Sequence, residues 1–552
     1  MPLRNRFADL HCHPGEMMYH RLRGAQPRSV IKDDPDTFNP WNRRIIEKFL
    51  KQIKGKRAGK YLQSNPPKLI SGRMKIAFAS IYPIEHGFLG VNKRIHSVGN
   101  VLVRLPLLRD FFLWINKALL NMTNSRYAYL KSSTSNYYDE LEAIYDFYEN
   151  ATGKWMDKHV SVGDENRRDI LKVAGAYALC RNFSDVEDIV TEQVNVPDGV
   201  DVAGKSALVL TIEGMHAFGK GHPTTQKDAT AAELKARVID WKTNKTFPIF
   251  FITYSHHFTN QLCGHAHSLP KVTRLLADQV PLMGEGFTEE GLEIAELLLN
   301  IGRFGGANAV GKRILIDVKH MSPAGRKSLY KIVQQHNADF PNDAIPVIAS
   351  HIGHCGLQSL AQVLGSGKSF LKKERDNSSA PGFEIDGKRY DFNSWGINMT
   401  DEDVVAIVAS KGLLGLSMDQ RVMAAKKTNG MVKGFLGFRS KKKKYRMRTN
   451  VVLNHILAIA RAVDQSMLSD GDKAFVWDAI TLGSDFDGFI DPIDNYPTCN
   501  HYANLQADLL EAMRAYNQAH PAGLLSRWIG SEDELINNIC FDNAYEFLRK
   551  HF

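Results

Sequence analysis

The sequence predicts an α/β protein built as a (β/α)8 TIM-type barrel with large insertions in the βα loops. Short β-branched and apolar runs recur along the chain, and helical segments separate several of them. Histidines or carboxylates also stand at the ends of six of these runs, which is typical of a barrel whose strand ends form one site. With 552 residues, 43% of them hydrophobic, the chain can bury a large core as one unit.

Eight candidate strands follow one another. They lie at 7–11, 75–81, 207–213, 247–255, 313–320, 345–351, 412–418 and 479–486. Most are near-continuous apolar runs, as expected for parallel strands that are buried on both faces. Helices are predicted at 288–304, 322–336 and 401–410. In the second helix, Ser322 is placed as the N-cap and Pro323 at the first helical position.

We interpret residues 1–552 as one barrel rather than several domains. Four long additions interrupt it, at 14–74, 83–150, 352–396 and 419–450. Each of them follows a strand end, so all should rise on the same face of the barrel. Insertions in that place are expected to reshape the pocket and its access more than the folding of the core.

The composition excludes several classes of protein. The six cysteines are scattered without a CxxC pair, which argues against a disulfide framework and against a thiolate zinc site. This pattern and the lack of an apolar leader in the first residues predict a cytoplasmic location. No run is apolar enough to span a membrane, and 101–120 is instead predicted as a helix that packs on the body or at a dimer interface.

The net charge of +10 is partly local, because 433–448 holds eight basic residues and no acidic ones. We interpret this run as a solvated, mobile loop, with an anion-recruiting patch as the alternative. No nucleic-acid partner is expected, since no phosphate-binding loop or nucleotide fingerprint occurs between a strand and a helix.

The ionisable residues at the strand ends define the candidate site. They are His11, His13, Glu213, His256, His320, His351 and Asp485. Because the carboxyl ends of barrel strands meet on one face, six separate strands should deliver these side chains to one place. A single histidine at a strand end would instead be interpreted as structural.

These residue types indicate a site for two divalent metal ions, with zinc the expected metal. His11 and His13 are two positions apart in an extended segment, so both imidazoles can reach one ion. Glu213 has two carboxylate oxygens and can bridge two ions, and His320 and His351 can complete the second. Two such ions roughly 3.5–4 Å apart can activate a water and polarise a scissile carbonyl.

Asp485 would orient that water, take its proton and return it to the leaving amine. The residues therefore predict a binuclear hydrolase of amide bonds.

Several segments resemble the membrane (renal-type) dipeptidase family, peptidase family M19, within the amidohydrolase-like barrels. They are LTIEGMH (210–216), FITYSHH (251–257), TEEGLEIAELL (288–298), ILIDVKHMSP (314–323), PVIASH (346–351) and LGSDFDG (482–488). The resemblance implies a bridging role for Glu213 and an acid/base role for Asp485, with Asp487 the less favoured choice. It also implies that His256 hydrogen-bonds the substrate or stabilises an oxyanion, and homodimers are common in the family.

Two departures from the family pattern affect the substrate. The family's first motif is His-x-Asp, whereas this chain has His11-Cys12-His13, which favours nitrogen-preferring ions such as zinc. His-x-His also occurs in phosphoesterases. The family's carboxylate-binding Arg aligns with Ile397, and Arg421 is the candidate substitute as a substrate-binding residue.

The leading hypothesis is a zinc-dependent, dipeptidase-like hydrolase that acts on a dipeptide-like substrate or an N-acyl amino acid. A metal-dependent phosphoesterase on the same barrel is the first alternative. A non-catalytic binding protein on an inherited barrel is the second.

Overall fold

The computed structural model describes residues 3–42, 62–89, 121–162, 169–221, 227–269, 278–363, 379–433, 441–527 and 530–552. The helix predicted at 101–120 lies outside these residues. Among the described residues, no helix has the length and apolar character that a membrane crossing requires.

Eight parallel strands form the barrel, so the predicted fold is confirmed. They are β1 Phe7–Cys12, β2 Met74–Ile81, β5 Val202–Glu213, β6 Phe251–Thr253, β7 Leu315–Asp317, β8 Ile348–Ile352, β11 Leu413–Leu416 and β12 Ile480–Leu482. Each strand pairs in parallel with the next in this order. The ring is completed where Cys12 forms a parallel bridge with Phe486, just beyond β12. The fully buried apolar side chains of the strands, such as Phe78, Leu210 and Leu416, belong to one continuous core.

Helices surround the strands and fill the long connections. In chain order they are α1 Glu16–Arg23, α2 Arg28–Asp33, α3 Pro66–Ser71, α4 Asn124–Leu130, α5 Tyr137–Glu149, α6 Phe183–Thr191, α7 Ala231–Thr243, α8 Glu289–Leu299, α9 Pro323–Asp339, α10 Leu360–Val363, α11 Asp401–Ala409, α12 Gln420–Met423, α13 Lys426–Lys433, α14 Lys441–Asp464, α15 Asp470–Ala474, α16 Val476–Ala479, α17 Tyr502–Ala519, α18 Glu532–Asn537 and α19 Asn543–His551. The predicted N-cap of α9 is present, since the Ser322 side chain accepts a hydrogen bond from Gly325 N at 2.9 Å.

The sequence missed an antiparallel hairpin beside the barrel. Strand β3, Met156–Val162, pairs antiparallel with β4, Asp169–Leu179, and β4 pairs in parallel with β5. The β3 segment, MDKHVSV, carries polar residues and lies at the edge of the sheet, so it lacks the continuous apolar run of the barrel strands. A second hairpin joins β9 Glu384–Ile385 to β10 Lys388–Arg389.

The prediction of a mobile loop over 433–448 is wrong from Lys441 onward, where α14 begins. Met447 on this helix is buried, and the Arg448 guanidinium forms an ion pair with Asp494 at 2.8 Å. This helix therefore packs on the body through side chains such as Met447, and charge alone did not reveal this. Residues 434–440 lie outside the described part of the chain.

Candidate metal centre and active-site cavity

Glu213, the last residue of β5, lies at the centre of the predicted site. Its Oε1 is 3.3 Å from Nε2 of His11, and its Oε2 is 3.2 Å from Nε2 of His13. Both histidines come from the end of β1, and all three side chains are buried. The spacing of the two histidines in an extended segment therefore brings both rings to one carboxylate, as the sequence predicts.

His320 and His351 approach the same carboxylate from β7 and β8. Their Nε2 atoms lie 3.9 Å and 3.7 Å from Oε1 of Glu213. The two Nε2 atoms are 3.1 Å apart. Four imidazoles from three strand ends thus face one carboxylate, on the face of the barrel where the carboxyl ends of the strands meet.

Asp485 completes the cluster on the β12 side. Its Oδ1 lies 3.9 Å from Nε2 of His11 and 3.8 Å from Nε2 of His13. Its side chain keeps 16% of its surface exposed, whereas that of Glu213 keeps 4%. Asp485 adopts a left-handed backbone conformation with φ of 63°, which a non-glycine residue rarely takes and which turns the chain at the site.

The neighbouring Asp487 has a different environment. Its carboxylate accepts hydrogen bonds from the backbone of Gln63 at 2.8 Å and of Ser64 at 2.9 Å, and from the Ser64 hydroxyl at 3.0 Å. These bonds hold the segment before α3 against the barrel. The geometry therefore favours Asp485 over Asp487 as the residue that can exchange protons.

His256 is held from behind by Glu85. The Nδ1 atom of His256 lies 2.6 Å from Oε2 of Glu85, and the other Glu85 oxygen accepts a hydrogen bond from Phe258 N at 2.9 Å. Nε2 of His256 faces Oε1 of Glu213 at 3.4 Å. The structure thus places Glu85 as the partner that orients His256.

Burial and charge act in opposite directions in this cluster. Burial alone would raise the pKa of Glu213, but the charges of His256 and the other histidines hold it well below its usual range. Burial raises the pKa of Asp485 well above its usual range, and the Glu213 charge adds to this effect. Burial also lowers the pKa of His320 and His351, which favours the neutral imidazole that a metal ion needs.

The donor set fits divalent metal ions. Nδ1 of His11 and Nδ1 of His320 are buried with no hydrogen bond, which is costly for polar atoms without another partner, and Nε2 of His11 and of His13 contact only carboxylate oxygens. Ligand atoms lie within 4.8 Å of one another in three groups of the described residues. These groups are His11–Glu213–His351, His11–His13–Asp485 and His256–His257–His320. Imidazole nitrogens with carboxylate oxygens are the usual ligands of zinc and related ions at catalytic sites.

His257 is a member of this set that the sequence did not single out. It follows His256 directly, and its Nδ1 lies 2.6 Å from the Ser268 hydroxyl. Its ring centroid is 4.8 Å from that of His320. The only signal in the sequence was the paired histidines that follow β6.

A cavity with about 1190 Å³ of space, including its open mouth, lies above the cluster. Its polar lining includes Glu16, Asp419, Arg421 and the metal-binding candidates other than His11, and its apolar lining includes Tyr82, Phe88, Leu269, Trp395, Ile397, Val422 and Phe489. Several of these residues belong to the long additions predicted to follow the strand ends. The floor of the cavity is therefore formed by the barrel, and much of its wall is formed by the long additions.

Lys319 does not follow the strand alternation that its position next to His320 predicts. A neighbour of an inward-facing residue in a strand should point out of the barrel, but the Lys319 side chain is 1% exposed and lines the cavity. β7 ends at Asp317, and His320 has φ of 65°, so the alternation no longer applies at Lys319. Burial lowers the pKa of Lys319 to about 8, although the charge of Asp485 opposes this.

Arg421 reaches the cavity but is already paired. Its Nε donates to both oxygens of Asp419 at 3.0 Å, and its second guanidinium nitrogen donates to Asp419 at 2.6 Å and to the Phe489 carbonyl at 2.9 Å. Its side chain remains 46% exposed. Arg421, the substrate-binding candidate of the sequence analysis, thus lies at the site, and the negative charge of Asp419 balances its positive charge.

The chain resembles solved structures of metallodipeptidases. One is a metallopeptidase from Rhodobacter sphaeroides liganded with a phosphinate mimic of the dipeptide L-Ala-D-Ala, with 14% identity and a TM-score of 0.43 over 92% of this chain and 97% of that one. Dipeptidase AC of family M19 matches with 14% identity and a TM-score of 0.41 over 92% and 96%. The probable dipeptidase PvdM from Pseudomonas aeruginosa matches with 12% identity and a TM-score of 0.38 over 89% and 90%.

No family model and no curated protein matches the chain. The structure places His13 beside Glu213 and Ile397 in the cavity wall, and these are the two positions at which the sequence differs from the dipeptidase motifs that it resembles.

Proposed function

We propose that the protein is a binuclear metal-dependent hydrolase that cleaves the amide or peptide bond of a small, dipeptide-like or N-acyl amino acid substrate. The observation that carries the proposal is the buried carboxylate of Glu213, which five imidazoles face below an open cavity. A structural role does not explain this arrangement, because buried nitrogens of these imidazoles lack hydrogen bonds.

In this proposal His11 and His13 would hold one ion, His320 and His351 would hold the other, and the Glu213 carboxylate would serve both. The bound ions would supply an activated water and polarise the scissile carbonyl. Zinc is the proposed metal, since the set is rich in nitrogen. The cytoplasmic location and the homodimer stay predictions.

Asp485 is the proposed acid/base residue. Its Oδ1 faces the first pair of histidines, and its side chain reaches the cavity. From this position Oδ1 can take a proton from the attacking water and deliver it to the nitrogen of the leaving amine. Its backbone, held in a left-handed conformation, keeps the carboxylate at the boundary between the cluster and the cavity.

His256 is the proposed donor to the developing oxyanion. Glu85 accepts a hydrogen bond from Nδ1, and Nε2 points toward the cluster. Burial alone would lower the pKa of His256, but the charges of Glu213 and Glu85 raise it to about 10, so both ring nitrogens carry a proton and Nε2 can donate. A positioned donor of this kind contributes about 3–4 kcal/mol to transition-state stabilisation. Arg421 remains the proposed contact for the distal part of the substrate.

The decisive experiment is a hydrolysis assay of the zinc-loaded protein on parallel panels of dipeptides, N-acyl amino acids, their C-terminal amides and phosphate esters. We expect turnover of amides, and a decrease in kcat of about 10²–10⁴-fold in Asp485→Asn with unchanged metal content. Activity on phosphate esters alone would replace the amidase proposal with the phosphoesterase alternative. Unchanged turnover in Asp485→Asn would refute the proposed acid/base residue.

A further inference from the structure

The wall of the cavity differs in character from its floor. The floor carries the candidate metal ligands, whereas the wall is formed largely by apolar side chains. The apolar side chains of the wall include those of Phe88, Leu269, Trp395, Ile397 and Phe489. A substrate that reaches the floor must therefore place much of its surface against apolar groups, and burial of apolar surface favours binding by about 25 cal/mol per Å².

The wall also holds two cationic side chains, and each has an acidic neighbour. Arg421 forms the double hydrogen bond with Asp419 described above. Lys319 lies within the field of Asp485 and Asp419, and its Nζ donates to the Ile397 carbonyl at 3.4 Å. An anionic group that approached either cation would also approach a carboxylate, so the attraction is offset.

Asp419 is built into the site rather than loosely placed. Its side chain is buried, and Oδ1 accepts the backbone N–H of Arg421 at 2.9 Å as the N-cap of α12. Its own N–H donates to the Ser417 hydroxyl at 3.1 Å. The carboxylate is therefore fixed beside the guanidinium, and a substrate carboxylate cannot displace it without leaving a buried charge unpaired.

We infer that Asp419 narrows the substrates proposed above: the site favours a dipeptide-like substrate whose distal group is neutral and apolar, such as an N-acylated aromatic amide, over dipeptides and N-acyl amino acids that end in a free carboxylate. This inference rests on the proposed function, since it names the class of substrate for the same site. The Arg421 guanidinium, already neutralised, serves as a hydrogen-bond donor to a neutral carbonyl rather than as an anion receptor.

The test measures binding by calorimetry and does not depend on turnover. The ligands are N-acetyl-phenylalanine amide and N-acetyl-phenylalanine, which differ in the charge of one end. Binding is measured to the full chain in the presence of a chelator, so that capture of the carboxylate by a metal ion does not contribute. We expect the wild type to bind the amide at least about tenfold more tightly than the acid.

Asp419→Asn keeps an oxygen for the helix cap and removes the charge, so it should tighten binding of the acid about tenfold and leave the amide nearly unchanged. The double variant Asp419→Asn/Arg421→Gln should lose the tenfold tighter binding of the acid, because it also lacks the guanidinium. Asp185→Asn is the matched control, because Asp185 forms the same kind of double hydrogen bond with Arg181, at 2.8 Å, outside the cavity lining.

Preference of the wild type for the acid, absence of binding by both ligands, or an unchanged ratio in Asp419→Asn would each overturn the inference. These outcomes are separate from the hydrolysis assay. A protein that prefers the amide but cleaves no amide bond would contradict the proposed function and leave the selectivity in place.

Discussion

Replacing Glu85 by Gln tests whether the residue behind His256 contributes to the chemistry. The Glu85 side chain is 1% exposed and accepts several donors. They are His256 Nδ1 at 2.6 Å, Phe258 N at 2.9 Å, His257 N at 3.3 Å and the Tyr82 hydroxyl at 3.3 Å. Gln has the same shape but only one acceptor oxygen, and its amide group is itself a donor.

The expected decrease in kcat follows from the number of donors that the Glu85 carboxylate accepts. If the Gln oxygen faces Phe258, the amide group faces His256 Nδ1, and the reverse orientation leaves Phe258 unpaired. A buried donor without a partner costs about 1–3 kcal/mol. In the first orientation Nδ1 has to accept a hydrogen bond, so His256 either becomes a neutral imidazole whose Nε2–H is a weaker donor than the imidazolium, or rotates away from the substrate. We therefore expect kcat to decrease about 10- to 100-fold, with a smaller effect on KM.

The assay is steady-state hydrolysis of the best amide substrate by the zinc-loaded Glu85→Gln protein, with metal content measured on the same sample. Glu142→Gln is the control, because Glu142 is also buried and paired, with Trp241 Nε1 at 2.7 Å, but lies outside the cavity lining. An unchanged kcat in Glu85→Gln, or an equal loss in the control, would refute the role of Glu85 in positioning His256.

Three further predictions concern the metals and the stability of the active-site additions. His320→Ala/His351→Ala should lower the metal content from about two ions per chain to about one, measured by elemental analysis, and an unchanged content would place the second ion elsewhere. Treatment with a chelator should abolish amide hydrolysis, and added zinc should restore it; activity that survives complete metal removal would exclude metal-dependent catalysis. Burial alone would raise the pKa of Glu140, but Arg126 lowers it to about 2, so its contribution to stability is present above the unfolded pKa of about 4.3 and is lost as the pH falls toward 2. Glu140→Gln should therefore lower the melting temperature by about 3 °C at neutral pH, which corresponds to about 3 kcal/mol in a chain of this size. Calorimetry should show this difference shrinking near pH 3, and a constant difference would contradict the assigned pKa.

The sequence was sufficient to predict the barrel and the cluster on its floor. Buried parallel strands require long apolar runs, which the sequence shows. The carboxyl ends of such strands meet on one face, so a histidine at a strand end is expected to lie at the site on that face. His320 and His351 come together for this reason although they are far apart in the chain. The capped start of α9 was also predictable, because Ser322 and Pro323 act through local backbone geometry.

Only the tertiary structure decided which polar groups act on one another around that cluster. Lys319 enters the cavity because the chain leaves β7 before reaching it, and a period of two has no meaning outside a strand. Glu85 lies behind His256, and Asp419 neutralises Arg421, through contacts set by loops whose paths depend on packing against the barrel. Apolar periodicity thus determined where the site would be, whereas its charge balance and selectivity arise from loop conformations that no local pattern specifies.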